Sequence, residues 1–143
     1  MSVEANKTNV IEYLRAVEAF DMPRARKCFT DNAIQHFPQP GEYSYVEDDS
    51  GLEPGTQVGG DAIIEGFRVH IPQIYHVETI KMDIQMVIGE GEWVAAAWIL
   101  SAKTRKGNVD YANHYHFRFR CENGLIAEYW EYCDTMYGRD LLY

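Results

Sequence analysis

Between Val109 and Tyr137 the chain reads VDYANHYHFRFRCENGLIAEYWEYCDTMY, and this stretch restricts the fold more than any other. Asn-Gly tolerates the left-handed backbone conformations of a two-residue hairpin turn. Asn123-Gly124 therefore predicts a tight reversal between two long antiparallel strands, 109–120 and 125–135. Successive residues of a strand point to opposite sides. Tyr111, Asn113 and Tyr115 thus share one side of the first strand, and Leu125, Ala127, Tyr129, Glu131 and Cys133 one side of the second. A carboxylate, phenols and an amide looking into one otherwise apolar space are the parts of a small proton-transfer site.

The remainder supplies elements for that hairpin to pack against. Val10, Tyr13, Leu14, Val17 and Phe20 fall on one stripe of a helix over 8–20, with Thr8 as its cap. Asp21 is placed to cap a second short helix over 23–29, with Pro23 near its start. A strand over 33–37 ends at Pro38 and Pro40. Residues 39–60 form a long glycine-rich, acidic loop, expected to act as a lid at a cavity mouth from which Tyr43 and Tyr45 reach a ligand. A third helix over 61–70 stops near Pro72, and strands over 77–88 and 93–103 precede the hairpin. Helices first and an antiparallel run afterwards make the class α+β.

At 143 residues this is one domain, 1–143, large enough for a real core but not for two. A net charge of −9 and the lack of a basic patch argue against nucleic-acid partners. The N-terminal stretch MSVEANKTNV has no apolar signal core and no run approaches membrane-spanning length, so a cytoplasmic protein without membrane partners is expected. Cys28, Cys121 and Cys133 have no metal-type spacing and are read as small hydrophobes, Cys133 as a candidate cavity residue. His114 and His116 share a strand side with Asp110, Arg118 and Arg120, opposite the proposed site, and no third ligand is spaced to join them, so no metal is expected. Neither a dinucleotide-binding glycine motif nor a phosphate-binding loop occurs, and no cofactor is expected.

The stretches EYLRAVEAFDMPRARKCFTDNAIQHFP, GGDAIIEGF and NHYHFRFRCENGLIAEYWEYCD, in this order and length, resemble the NTF2-like, or SnoaL-like, superfamily. That superfamily holds ketosteroid isomerases, limonene-type epoxide hydrolases, scytalone dehydratase and polyketide cyclases. The resemblance implies a cone: three N-terminal helices packed in a curved antiparallel sheet around a cavity open at one end. It also implies roles. Tyr13 matches a hydrogen-bond donor of ketosteroid isomerases, and Tyr115 falls where those enzymes keep a protonated aspartic acid. Their catalytic base belongs near His36 or Phe37, where this chain has no carboxylate. Glu131 matches one aspartate of the epoxide hydrolases, but Ala97 and Ile99 stand at two other positions of that triad, which argues against that reaction. His76 resembles a histidine of scytalone dehydratase.

These readings converge on a cofactor-independent enzyme: an isomerase, dehydratase or cyclase acting on a small apolar steroid-, terpenoid- or polyketide-like molecule. Glu131 is the expected proton shuttle, because desolvation raises a carboxyl pKa toward neutrality. His36 is its expected partner, and Tyr13 and Tyr115 are expected to donate to a developing oxyanion. Tyr111, Asn113, His76, Tyr129, Ala97 and Ile99 are expected to line the substrate space, and His70 is read as a helix-end residue. The alternative is a non-catalytic ligand-binding module or association domain of the same fold. Ala95, Ala97 and Ile99 are assigned to the cavity side of their strand. Val94, Ala96, Trp98 and Leu100 are then left outside with Trp130 and Tyr132, too apolar for solvent, and a homodimer through the outer sheet faces is expected.

Overall fold

Ser2, rather than Thr8, caps the first helix: its hydroxyl accepts a hydrogen bond from Ala5 N at 3.1 Å. The computed structural model describes residues 2–38 and 55–143. Helix α1 (Val3–Glu18) buries Val10, Tyr13, Leu14 and Val17 along one stripe. Asp21 caps α2 (Met22–Arg26) as its position predicts, Oδ1 accepting from Arg24 N at 3.1 Å. Strand β1 (Phe29–His36) starts earlier than Ala33. Strand β2 (Thr56–Val58) lies within the stretch expected to be loop; residues 39–54 of that stretch, with Tyr43 and Tyr45, fall outside the described residues.

Helix α3 (Gly60–Ile74) runs through Pro72 instead of stopping before it. A short 3-10 turn (Val77–Thr79) precedes β3 (Lys81–Glu90), which pairs with β4 (Trp93–Lys103). The predicted hairpin is β5 (Asp110–Glu122) and β6 (Leu125–Trp130). Asn123 and Gly124, with φ of 51° and 80°, form its two-residue turn. The strand expected to reach residue 135 ends at Trp130, and a fourth helix, α4 (Thr135–Leu142), follows where no element was assigned; Asp134 caps it by accepting from Tyr137 N at 3.0 Å. The strands form one sheet in the order β2-β1-β6-β5-β4-β3, antiparallel throughout except at β1–β6, which is parallel. The core lies between its inner face and helices α1 and α3. Among the described residues no helix is long and apolar enough to cross a membrane.

Two bulges decide which side chains face inward. On β3 the pairing steps from Ile84↔Trp98 to Met86↔Ala97, so Gln85 is extra and the inward set changes from Met82 and Ile84 to Val87. On β6 the pairing steps from Arg120↔Glu128 to Cys121↔Ile126, so Ala127 is extra. Ile126 and Tyr129 are therefore both core, and Leu125 does not share the inner side with Tyr129 as strict alternation predicts. An extra residue bends its strand and increases the twist, and here the sheet is curved and unclosed.

Strand β4 reverses an expectation. Val94, Ala96, Trp98 and Leu100 face the core, while Ala95, Ala97 and Ile99 lie on the outer side. Both sides of this strand are apolar, so polarity carries no orientation; pairing does, because Trp98 opposite Tyr115 and Leu100 opposite Asn113 must share those residues' side. The outer side of the sheet still presents Met86, Ile88, Trp93 and Tyr132 at 38–55% exposure, but Trp98 and Leu100 do not contribute to it.

The junction of α2, β1 and α3 depends on one glycine. Arg26 donates to Asp31 at 2.6 Å, to Asp61 at 2.7 Å and to Phe29 O at 3.1 Å. A Cβ on Gly60 would stand 2.7 Å from both Arg26 Cζ and Thr30 O. The guanidinium can swing aside only by giving up these bonds, and the carbonyl is fixed in the strand. Gly60→Ala is expected to lower unfolding free energy by about 1–3 kcal/mol, measured by urea denaturation; an unchanged midpoint would refute this account of the junction.

Candidate functional site

Parallel pairing of β1 with β6 sets the chemistry of the cavity. It places Gln35 beside Tyr129 and His36 beside Trp130, and Glu131 N donates to His36 O at 3.0 Å. The Glu131 side chain, just past the end of β6, then turns inward next to Gln35. Gln35 Nε2 donates to Glu131 Oε1 at 2.6 Å, and Oε2 accepts no hydrogen bond from the described residues. Both residues line a cavity of about 220 Å³. Leu14 and Val17 of α1, Phe67, Ile71 and Ile74 of α3, and Met82, Trp98, Leu100 and Phe117 of the sheet make most of its wall, which is accordingly apolar.

In that setting Glu131 is costly to ionise. Desolvation pushes its pKa from the ordinary 4.5 up to about 7, against the opposing hydrogen bond from Gln35. Tyr13 lines the same cavity, and burial, together with the neighbouring Glu131 carboxylate, raises its pKa well above 10.0. Tyr129 packs beside Tyr13 with ring centroids 6.1 Å apart, but does not itself line the cavity. Its hydroxyl is buried and close enough to Tyr13 for each to act on the other's titration, without adopting hydrogen-bonding geometry.

A second polar group is built from phenols. Tyr111 Oη and Tyr115 Oη lie 2.7 Å apart, and Tyr75 Oη is 3.4 Å from Tyr115. All three line the cavity. Burial raises the pKa of each, so they are protonated donors throughout the neutral range. Asn113 stands behind them instead of lining the space: its amide donates to Tyr111 Oη at 2.9 Å and to Asp134 O at 3.0 Å. Tyr137 of α4 stacks on Tyr111 at 5.2 Å and accepts from Ala112 N at 3.1 Å, which holds α4 against β5.

Several expected positions are elsewhere. His36 is on the outer face, where Nε2 lies 2.8 Å from Glu128 Oε2 and the ring stacks on Trp130 at 4.6 Å. Its neighbours in alternation, Gln35 and Phe37, face the cavity instead. His76 sits beside the 3-10 turn, 4.0 Å from Glu78, and does not line the cavity. Ala97 and Ile99 are outside for the reason given by the β4 register. Conversely, His70, Tyr75, Trp98, Gln57 and Arg139 line the cavity. Inward Gln35 was legible, since it shares a side with apolar Ala33; Trp98 was not, because both sides of β4 are apolar and only its pairing with β5 orients it. Arg139 was not either, because no element was assigned to the chain after residue 135.

The Glu131 pKa links to stability. Its folded value lies above its unfolded one, so the native state holds the extra proton between about pH 4.5 and 7 and stability falls as pH rises through that window. The change is expected to be up to about 3 kcal/mol. Glu131→Gln keeps an acceptor for Gln35 and should flatten this dependence in melting experiments at pH values across the window; a variant that loses stability in parallel with wild type would refute the buried-carboxyl account.

A family model for the SnoaL-like domain matches residues 10–129. No curated protein sequence matches the chain. Solved structures with the same fold include an NTF2-like protein of unknown function from Burkholderia pseudomallei, at 19% identity and TM-score 0.80 over 99% of this chain and 98% of that one. TerC, crystallised with polyporic acid, is 16% identical with TM-score 0.78 over 96% and 98%. IdmH from Streptomyces antibioticus, a candidate polyketide cyclase, is 16% identical with TM-score 0.74 over 96% and 97%. At these identities the structural likeness establishes the fold, while the family match covers most of the sequence. The chain belongs to the SnoaL-like domain family of the NTF2-like superfamily.

Proposed function

We propose that this protein is an enzyme that acts without a cofactor on a small, largely apolar molecule by general acid–base chemistry, as an isomerase, dehydratase or cyclase. The observation that carries this reading is Glu131: a carboxyl with a pKa of about 7, held among the described residues by one hydrogen bond, in a largely apolar cavity. Such a group is both an adequate base and an adequate acid near neutral pH. The SnoaL-like family and the presence of a candidate polyketide cyclase among the structural relatives support a small-molecule substrate.

In this reading Gln35 fixes Oε1 and leaves Oε2 for the substrate. Oε2 removes a proton from carbon beside a carbonyl, the C–H electron pair moves into the new C=C bond, and the carbonyl oxygen becomes an enolate oxygen. Tyr115, with Tyr111 and Tyr75 behind it, donates to that oxygen, and Tyr13 is the second phenol beside Glu131. The protonated Glu131 then returns the proton to another carbon in an isomerisation, to the alkoxide left when the enolate carbon attacks a second carbonyl in a cyclisation, or to a departing hydroxyl in a dehydration. His36 has no part in this scheme. His70, on the α3 wall, is the histidine that borders the cavity among the described residues.

The outer sheet face supports assembly as well. Trp93, Ile88 and Tyr132 are exposed, and the Arg118 guanidinium lies 4.3 Å from the Trp130 ring. A homodimer packed through this face accounts for them. Sedimentation at micromolar concentration should give about twice the 16.5 kDa chain mass, and a 16.5 kDa species alone would exclude it.

Thermal-shift screening of steroid-, terpenoid- and polyketide-like compounds supplies the substrate for the catalytic test. Glu131→Gln should lower kcat by about 10²–10⁴-fold with little change in ligand affinity, and Tyr115→Phe should cost less because other phenols remain. Wild-type kcat/KM should rise with pH to a plateau above about 7, as the base ionises. A near-wild-type rate for Glu131→Gln would leave Glu131 as a ligand-orienting group and exclude the proton shuttle.

A further inference from the structure

Among the described residues neither backbone conformation nor packing asks for glycine at position 66. It lies in the interior of α3 with no left-handed φ. A Cβ built there meets nothing within 4 Å among the described residues. Gly60, in the first turn of the same helix, has two groups at 2.7 Å from such a Cβ, so its glycine has a steric reason, whereas the described residues give Gly66 none. Glycine in a helix interior is less favourable than every residue but proline, so the chain forgoes stability at this position.

Cavity geometry supplies the missing reason. α3 turns Gly66, Phe67, His70, Ile71 and Ile74 toward the cavity. Phe67 and Ile71 pack against the core, whereas Gly66 is partly exposed and borders both the cavity and the surface. We propose that the absent side chain at Gly66 is a size filter: it leaves the width through which the cavity admits a ring-sized apolar ligand, and bulk at position 66 determines which ligands enter. The inference rests on the cavity being a small-molecule site, but not on Glu131 transferring a proton.

Cys133 provides a test that needs no substrate. It lines the same cavity, while Cys28 and Cys121 are 2% and 4% exposed in the core. Burial raises its thiol pKa to about 11, so labelling is run at about pH 9, where the thiolate fraction is small but common to all variants. Two reagents deliver a methylthio or a benzylthio group to the same sulfur: methyl and benzyl methanethiosulfonate. Mass spectrometry assigns the adduct to Cys133, with Cys133→Ser as background. The ratio of the two rates within one protein is the readout, so general loosening, which speeds both, does not enter it.

Wild type should accept both reagents. Gly66→Ala should accept both and melt higher by about 3 °C, the gain from replacing a helix-interior glycine. Gly66→Leu and Gly66→Trp should keep the methyl rate within about twofold and slow the benzyl reaction by about tenfold or more, leaving only entry through local opening. Either of these two variants suffices if the other does not fold. A benzyl-to-methyl ratio that is unchanged by bulk at position 66, or a wild-type protein that already excludes the benzyl reagent, overturns the filter. Failure of Glu131→Gln to reduce turnover would overturn the catalytic reading alone, and the labelling ratio would be unaffected by it.

Discussion

Everything at the cavity's acidic end hangs on the parallel pairing of β1 with β6. A parallel neighbour cannot come from a hairpin; it must be brought in from a distant part of the chain. Here the chain's first strand closes against its last, and the bond from Glu131 N to His36 O places Gln35 at the side of Glu131. The same alternation that turns Gln35 inward turns His36 outward, onto Trp130 and Glu128. One register thus decides which of two adjacent polar residues meets the carboxyl. A slip of one residue would exchange an amide for an imidazole inside the cavity.

The electrostatics follow from this placement. A carboxyl with several donors would titrate below its ordinary range, and an unpartnered one would resist burial altogether. Glu131 is between these cases, with one neutral donor among the described residues and largely apolar surroundings, and burial dominates. The phenols are tuned by the same loss of solvent but in the direction that keeps them protonated. A single cause, desolvation by burial, thereby produces a group able to exchange a proton and a set of groups that hold theirs. Asn113 contributes from behind by donating to Tyr111, which leaves the Tyr111 proton for Tyr115.

Much of the fold was legible because it is written locally. Asn123-Gly124 specifies its turn by backbone preference, Asp21 its helix cap by side-chain reach, and β5 its inner side by an alternation that separates Tyr111, Asn113 and Tyr115 from Asp110, His114 and Arg118. Where local signals were silent the reading failed. Strand β4 is apolar on both sides, so its orientation was undetermined until pairing with β5 placed Trp98 opposite Tyr115. The bulges at Gln85 and Ala127 change the inward set without any glycine or proline to mark them. Helix α4 was hidden because Cys133 continues the strand alternation for one step past Glu131.

By itself, then, the sequence determined the class of the fold, the hairpin that carries Tyr111 and Tyr115, and the inward direction of these two, Tyr13 and Glu131. These depend on periods of two and on turn preferences, which act between near neighbours in the chain. Tertiary structure alone decided which side of β4 faces the cavity, that Gln35 and not His36 meets Glu131, and that α4 brings Arg139 to the same space. Those outcomes depend on register between segments as far apart as residues 35 and 131. Register is set by the summed burial of a whole sheet, and no short stretch of residues encodes it.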